Sequence, residues 1–166
     1  MTKPVPATHN AYTAHINPAG ASPILTMDQV WAALEQKVQH AEWFVAGALK
    51  STDVLSVETD DQGHRVTTRE VVFVEDNRRI REVCTEYPKL KVEFKQPCGG
   101  LVCNIVSQGP GGPEDLCMTY TFQYLHPGAS DEEIKELTEK RAKMSKMAVE
   151  GTIEAIRKMV QDGRIK

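Results

Sequence analysis

The residues of this chain best placed to do chemistry are ionisable and amide side chains set inside β-prone sequence. Arg69 and Glu70 interrupt the run from Val66 to Val74, and Arg81 and Glu82 interrupt the run from Ile80 to Tyr87. Strand side chains alternate between faces, so Arg69 and Glu70 must point to opposite sides, as must Arg81 and Glu82. One choice puts Glu70 and Glu82 on an inner face together with Val72, Ile80 and Cys84; the other turns Arg69 and Arg81 inward with Val71, Phe73 and Val83. The first is adopted here, making Glu70, Glu82 and Arg69 the candidates for catalysis. A carboxyl group withdrawn from water has its pKa raised and becomes a general acid or base near neutrality. A buried guanidinium would instead stabilise an enolate or a carboxylate. The competing reading is a solvated cross-strand charge network without chemistry.

Asn104 stands inside Leu101-Val102-Cys103-Asn104-Ile105-Val106, where an amide disfavours β structure. It either orients a ligand carbonyl or satisfies backbone groups at a bulge. Tyr120 alternates with Met118 and Phe122, which puts all three on one expected cavity wall; the phenol could donate to a ligand or merely pack. Trp43 and Phe44 follow the first helical segment, as a gate at a cavity mouth or as part of a short helix docked on the core. Gly151, inside a long helical pattern, costs about 1 kcal/mol relative to Ala; it either leaves room for a ligand or a close strand or is a plain tolerated defect. With Met144 on the same helix, these complete the expected ligand-contacting set. Of five histidines only His15 falls in a strand, and it alone merits a test.

No metal site is expected. The cysteines are Cys84, Cys98, Cys103 and Cys117, the closest pair being Cys98-x4-Cys103 with no histidine between Cys84 and Cys117. The chain has no nucleophile elbow and no phosphate loop, and Gly109-Pro110-Gly111-Gly112-Pro113 reads as a hairpin connection. No cofactor is expected. The charge balance is 20 basic against 23 acidic residues without a basic run, which argues against nucleic-acid or anionic-membrane partners. Nothing approaches the roughly 18 apolar residues of a membrane span. Met1-Thr2-Lys3-Pro4-Val5-Pro6 lacks the apolar core of a signal peptide, so a cytoplasmic location is the default expectation. The oligomeric state is left open between monomer and homodimer.

These residues must be held by a strand, two helices, about six strands and one long helix. Ala11 to Pro18 is a β-prone run stopped by Pro18 and Gly20. Thr26 caps a helix bearing Val30, Trp31, Leu34 and Val38, and a second helical piece runs from His40 to Leu49. Strands follow at Val54–Thr59, Val66–Val74, Ile80–Tyr87, Leu90–Phe94, Leu101–Val106 and Leu116–Leu125. Ser130-x-x-Glu133 is a capping box opening a helix to about Asp162, with a stripe of Ile134, Leu137, Met144, Ala148, Gly151 and Ala155. A strand meander curls, and its apolar face and the long helix must bury one another. The expected architecture is a single α+β domain over residues 1–166 in a helix-grip arrangement, a curved antiparallel sheet wrapped around a long C-terminal helix with an internal cavity.

The sequence also resembles the AtaL-like family of the START, polyketide-cyclase and birch-pollen-allergen (SRPBCC) superfamily. The resemblance rests on Ile16-Asn17-Pro18, Leu25-Thr26 with Gln29-Val30-Trp31, Leu34-Glu35-Gln36-Lys37, and Thr68-Arg69-Glu70-Val71. It continues through Val83-Cys84-Thr85-Glu86-Tyr87-Pro88, Val92-Glu93-Phe94, Asn104-Ile105-Val106 and Leu116-Cys117-Met118-Thr119-Tyr120-Thr121-Phe122. Cys117 departs from the family, which often carries a bulkier residue there. The resemblance implies a cavity for a small hydrophobic or aromatic ligand. It implies a role in tailoring polyketide or peptide products without implying a single reaction; the polar residues inside the strands point to an enzyme acting on a polyketide-like or aromatic secondary metabolite by cyclisation, dehydration or related acid/base chemistry. The alternative is a non-catalytic carrier of a hydrophobic metabolite or lipid, since the superfamily contains both.

Overall fold

The computed structural model describes residues 3–45 and 47–166. Seven strands form one antiparallel sheet: β1 (Ala7–His15), β2 (Leu49–Thr59), β3 (Arg65–Phe73), β4 (Arg79–Tyr87), β5 (Lys91–Lys95), β6 (Leu101–Gln108) and β7 (Leu116–Leu125). Their order across the sheet is β1-β7-β6-β5-β4-β3-β2. Strands β2 to β7 are thus a meander, and β1 closes its far side by pairing with β7. Helix α1 (Met27–Gln39) and the long α2 (Asp131–Gln161) pack on this curved sheet, which is the helix-grip fold.

The helix boundaries follow from local chemistry. Both helices open with a reciprocal capping box, Thr26 with Gln29 and Ser130 with Glu133, so two otherwise orphaned amides are satisfied at each start. Helix α2 has 31 residues, about 46 Å at 1.5 Å per residue. Its buried positions are Ser145, Val149, Thr152, Ile153, Ile156 and Met159. The expected stripe through Met144, Ala148, Gly151 and Ala155 lies beside that face instead of on it.

Two segments differ from expectation. The first strand begins at Ala7 and not at Ala11, because the polar Thr8-His9-Asn10 pairs with Tyr124-Gln123-Phe122 of β7. Pairing with a partner strand overrides weak local preference. The helical piece expected from His40 to Leu49 shrinks to one 3₁₀ turn, Ala41–Trp43. The chain then turns at Gly47, whose φ of +78° suits glycine, and Leu49 already begins β2.

Helix α1 plugs the inner face of the sheet with Val30, Ala33, Leu34 and Val38, all buried. Cys84, Val92, Phe94, Val106, Met118 and Tyr120 meet it from the sheet, and Val149, Ile156 and Met159 from α2. One apolar core therefore joins all three layers of contact. No described helix is long and apolar enough to cross a membrane.

Candidate functional site

The polar centre of the molecule is a residue the sequence argument passed over, Lys37. Val30, Ala33, Leu34, Lys37 and Val38 are the buried face of α1, and Lys37 holds the i+7 position of that stripe. It is only 7% exposed. Its Nζ donates to Asn104 Oδ1 at 2.8 Å and to the Tyr120 hydroxyl at 3.0 Å. The same nitrogen sits 4.4 Å from the centroid of the Tyr120 ring and 5.8 Å from that of Phe94. No described carboxylate makes an ion pair with it. Burial, reinforced by the positive charge of Arg69 and partly offset by Glu82, lowers its pKa from 10.5 to about 7. The signal available in the sequence was a lysine on the apolar stripe of an amphipathic helix.

This cluster explains Asn104, which is fully buried on β6 and accepts from the ammonium. Its Nδ2 has no partner, and neither has the buried Thr152 Oγ1 of α2. Thr152 lies close enough to the Tyr120 phenol to moderate its acidity, without forming a regular hydrogen bond; burial nevertheless pushes that phenol's pKa well up. Buried polar atoms with unused capacity beside a low-pKa amine make a centre able to bind or move a proton.

Arg69 and Glu82 form a buried pair, the guanidinium donating to Glu82 Oε2 at 2.7 and 3.0 Å. A second set of donations runs from Arg69 to the carbonyls of Lys37 at 2.7 Å and Val38 at 2.9 Å. The last carbonyls of a helix lack intrahelical partners and carry negative partial charge, so a cation there is well placed. The pair thereby fixes the end of α1 from which Lys37 projects.

The two carboxylates do not share a face as expected. Residues directly opposite in an antiparallel pair point the same way, and the register matches Arg69 with Glu82 and Glu70 with Arg81. Glu82 therefore faces inward, as does Arg69. Glu70 faces outward, 3.2 Å from Arg81 and 3.5 Å from Arg79, which also pairs with Asp53 at 2.9 Å. This outer network is the solvated alternative, confined to half of the residues considered. Cys84 shares the inner face, and burial raises its thiol to about 12, which leaves it unreactive. Glu86, also inward, has its pKa raised by burial and an unpartnered Oε1, near Arg65 and Glu35 of α1.

A cleft of about 740 Å³ opens between α2, the 3₁₀ turn and β7. Trp43, Phe44, Phe122, Met144 and Gly151 all line it, together with Arg141. Phe44 is buried, while Trp43 is half exposed and stacks on His40 with centroids 4.0 Å apart. A Cβ added to Gly151 would meet only the Phe44 carbonyl oxygen, at 4.0 Å, so this glycine widens the cleft. Tyr120 and Met118 are deeper and fully buried. Tyr120 touches the lining through an edge-on contact with Phe122, centroids 6.2 Å apart. Lys37 thus lies one aromatic ring behind the cleft wall. His15 is apart from all this, in a more open groove with Glu150 and Arg157 on another side of α2. Among the described residues no group of three or more histidines, cysteines or carboxylates is arranged to hold a metal.

Residues 10–163 match the family described as acetylaranotin biosynthesis cluster protein L. Among solved structures, the chain is similar to the Zhui aromatase/cyclase from Streptomyces sp. R1128, with 14% identity and a TM-score of 0.59 over 93% of this chain and 96% of that one. It is similar to norcoclaurine synthase from Thalictrum flavum in complex with dopamine and hydroxybenzaldehyde, with 15% identity and a TM-score of 0.61 over 96% and 90%. The di-domain aromatase/cyclase BexL from the BE-7585A biosynthetic pathway aligns at 14% identity and a TM-score of 0.61, over 94% of this chain and 50% of that one. The chain spans about half the length of the di-domain proteins it matches, 50% of BexL and 52% of StfQ. No curated protein matches the sequence. At these identities the likeness speaks for the fold.

Proposed function

We propose, from the premise that the chain belongs to the family of acetylaranotin biosynthesis cluster protein L, that it binds a polyketide-like or aromatic metabolite in the cleft and catalyses cyclisation or dehydration by acid/base chemistry. The observation that carries this reading is Lys37, an amine buried against Asn104 and Tyr120 whose pKa of about 7 leaves it substantially neutral at physiological pH. Where Phe122 turns aside and the ligand carbonyl reaches the amine, the neutral amine takes a proton from the carbon beside that carbonyl, the electron pair passing to oxygen as an enolate. The enolate carbon attacks a second carbonyl of the same ligand, forming the ring bond. The lysine ammonium then returns its proton to the new alkoxide, and a further proton transfer releases water where the ring dehydrates. Tyr120 and Asn104 fix the amine and can donate to developing negative charge. In this reading Arg69 and Glu82 are positioning residues that clamp the end of α1, and Glu70, outside the sheet, takes no part. Proteins sharing the fold include aromatase/cyclases and a synthase in complex with two aromatic compounds, which supports a ligand of this class.

A carrier of a hydrophobic metabolite is the second reading. It draws support from the mostly apolar lining and from Lys37 lying behind Phe122 instead of on the cleft surface. The two separate cleanly. Native mass spectrometry after mild purification, with denaturing extraction, identifies any bound compound; thermal shifts against aromatic polyketides and fatty acids extend the panel. The enzyme reading expects turnover of an aromatic or polyketide ligand, with a rate rising through pH about 7 and falling at least a hundredfold in Lys37→Met while binding is kept. Ligand that is bound and returned unchanged, by wild type and Lys37→Met alike, establishes the carrier.

A further inference from the structure

The cleft carries a cation that the proposed chemistry does not use. Arg141 lines the cleft on α2, with its guanidinium carbon 3.8 Å from the centroid of the Tyr124 ring. Its Nε is buried and without a hydrogen-bond partner, and no described carboxylate pairs with it. Tyr124 is buried enough to have its phenol pKa raised, and the guanidinium opposes that rise. The remaining charged lining residues are Glu154, Lys158 and Arg164, the last tied to Asp162 at 2.8 Å. A protein of formal charge −3 therefore presents a cleft lined by three cations and one carboxylate.

Contact with the Tyr124 ring places the guanidinium over an aromatic face while its Nε donor stays unspent. A fork so held matches a carboxylate with two parallel hydrogen bonds, and an aromatic platform cannot supply the acceptors it lacks. From Arg141 to Gly151 the helix advances about 15 Å at 1.5 Å per residue. The wall over that stretch is Met144, Ala148 and Gly151, faced by Phe44 and Phe122. The site is thus an apolar slot with Arg141 towards one end and Glu154, Lys158 and Arg164 beyond Gly151.

We propose that Arg141 anchors the carboxylate of an amphipathic ligand whose apolar body lies along the Met144–Gly151 face of α2. The inference rests on the cleft being the ligand site and deepens that reading by fixing the ligand class as an apolar acid. An aromatic acid and a fatty acid share this chemistry, and paired probes distinguish them.

The experiment is calorimetric titration at neutral pH of naphthoate against naphthamide, and of decanoate against decanamide, with wild type, Arg141→Met and Arg141→Lys. Arg141→Met keeps a long side chain over Tyr124, and circular dichroism checks that both variants fold. The acid of at least one pair is expected to bind about tenfold to a hundredfold more tightly than its amide, as for a charge-assisted hydrogen bond. That preference should vanish in Arg141→Met and survive in part in Arg141→Lys, and the pair that shows it names the ligand body. Equal binding of acid and amide, or a preference that persists in Arg141→Met, overturns the anchor while leaving the cleft as a ligand site. Failure of every probe to bind overturns the cleft reading itself, and the anchor with it.

Discussion

At the scale of residues, this protein keeps two cations inside its core and treats them differently. Arg69 has a full set of partners: a carboxylate and two helix-end carbonyls. Removing one member of such a buried pair costs several kcal/mol because a lone charge remains. Lys37 has only neutral partners, so it meets the desolvation cost by giving up its proton near pH 7. This makes a signature. The unfolded chain holds the Lys37 proton up to about 10.5, the folded chain only up to about 7. Between those values the unfolded state binds more protons, so this residue makes stability rise with pH, by at most roughly 1.4 kcal/mol per pH unit. Cys84 acts in the opposite sense above about 9.0, since the folded chain keeps its proton to about 12. Urea unfolding between pH 7 and 9 should therefore show wild-type stability gaining on that of Lys37→Met as pH rises. Parallel pH profiles for the two proteins would mean that Lys37 stays charged in the fold.

At the scale of elements, α2 does two jobs with adjacent faces. The face of Val149, Ile156 and Met159 packs into the core, and the face of Met144, Ala148 and Gly151 walls the cleft. Both faces are apolar, so periodicity alone runs them together into one stripe. Gly151 is where the second job shows. Replacing a helical glycine by alanine favours the helix by about 1 kcal/mol, and here the new Cβ meets only one atom, at 4.0 Å. Gly151→Ala should raise the melting temperature by roughly 2–4 °C and weaken binding of bulky ligands in the cleft. A lowered melting temperature would mean the space beside Gly151 is already needed by the fold. Strand β2, at the sheet edge, leaves Val54, Leu55 and Val57 exposed. Its register shifts between Leu49 and Ser51 and between Val54 and Ser56 interrupt the flat ladder that would invite edge-to-edge pairing.

At the scale of the whole molecule, the grip depends on tying the far end of α2 to the beginning of the chain. Arg157 donates to the carbonyls of Ile16 and Pro23, which lie at the end of β1 and in the connection to α1. Asn17 reinforces that connection, bonding Leu25 through both its oxygen and its amide and reaching the Glu114 carbonyl before β7. One side chain of α2 thus holds two points of the chain that lie more than a hundred residues before it. Hydrogen bonds from charged donors are worth about 1.5–3 kcal/mol. Arg157→Ala should lower the melting temperature by roughly 3–12 °C, with the far- and near-ultraviolet dichroism transitions falling together. Separate transitions would show that α2 unfolds independently of the sheet.

The amino-acid sequence by itself determined the elements. The capping boxes, the turn residues and the change from a period of 2 to one of 3.6 are local signals, and they placed the five strands β3 to β7 and both long helices close to where they lie. Local signals also brought out Trp43, Phe44, Phe122, Met144 and Gly151, which the structure gathers at one cleft. Tertiary structure alone decided which face of each strand turns inward. Alternation says that Arg69 and Glu70 oppose one another, but only the register of β3 on β4 says that Arg69 meets Glu82 and that Glu70 is left outside. It decided the length of β1, which exists because β7 offers it partners. It also decided the state of Lys37: charge in a side chain is legible in sequence, whereas the loss of water around it depends on Asn104 and Tyr120 arriving from strands far along the chain.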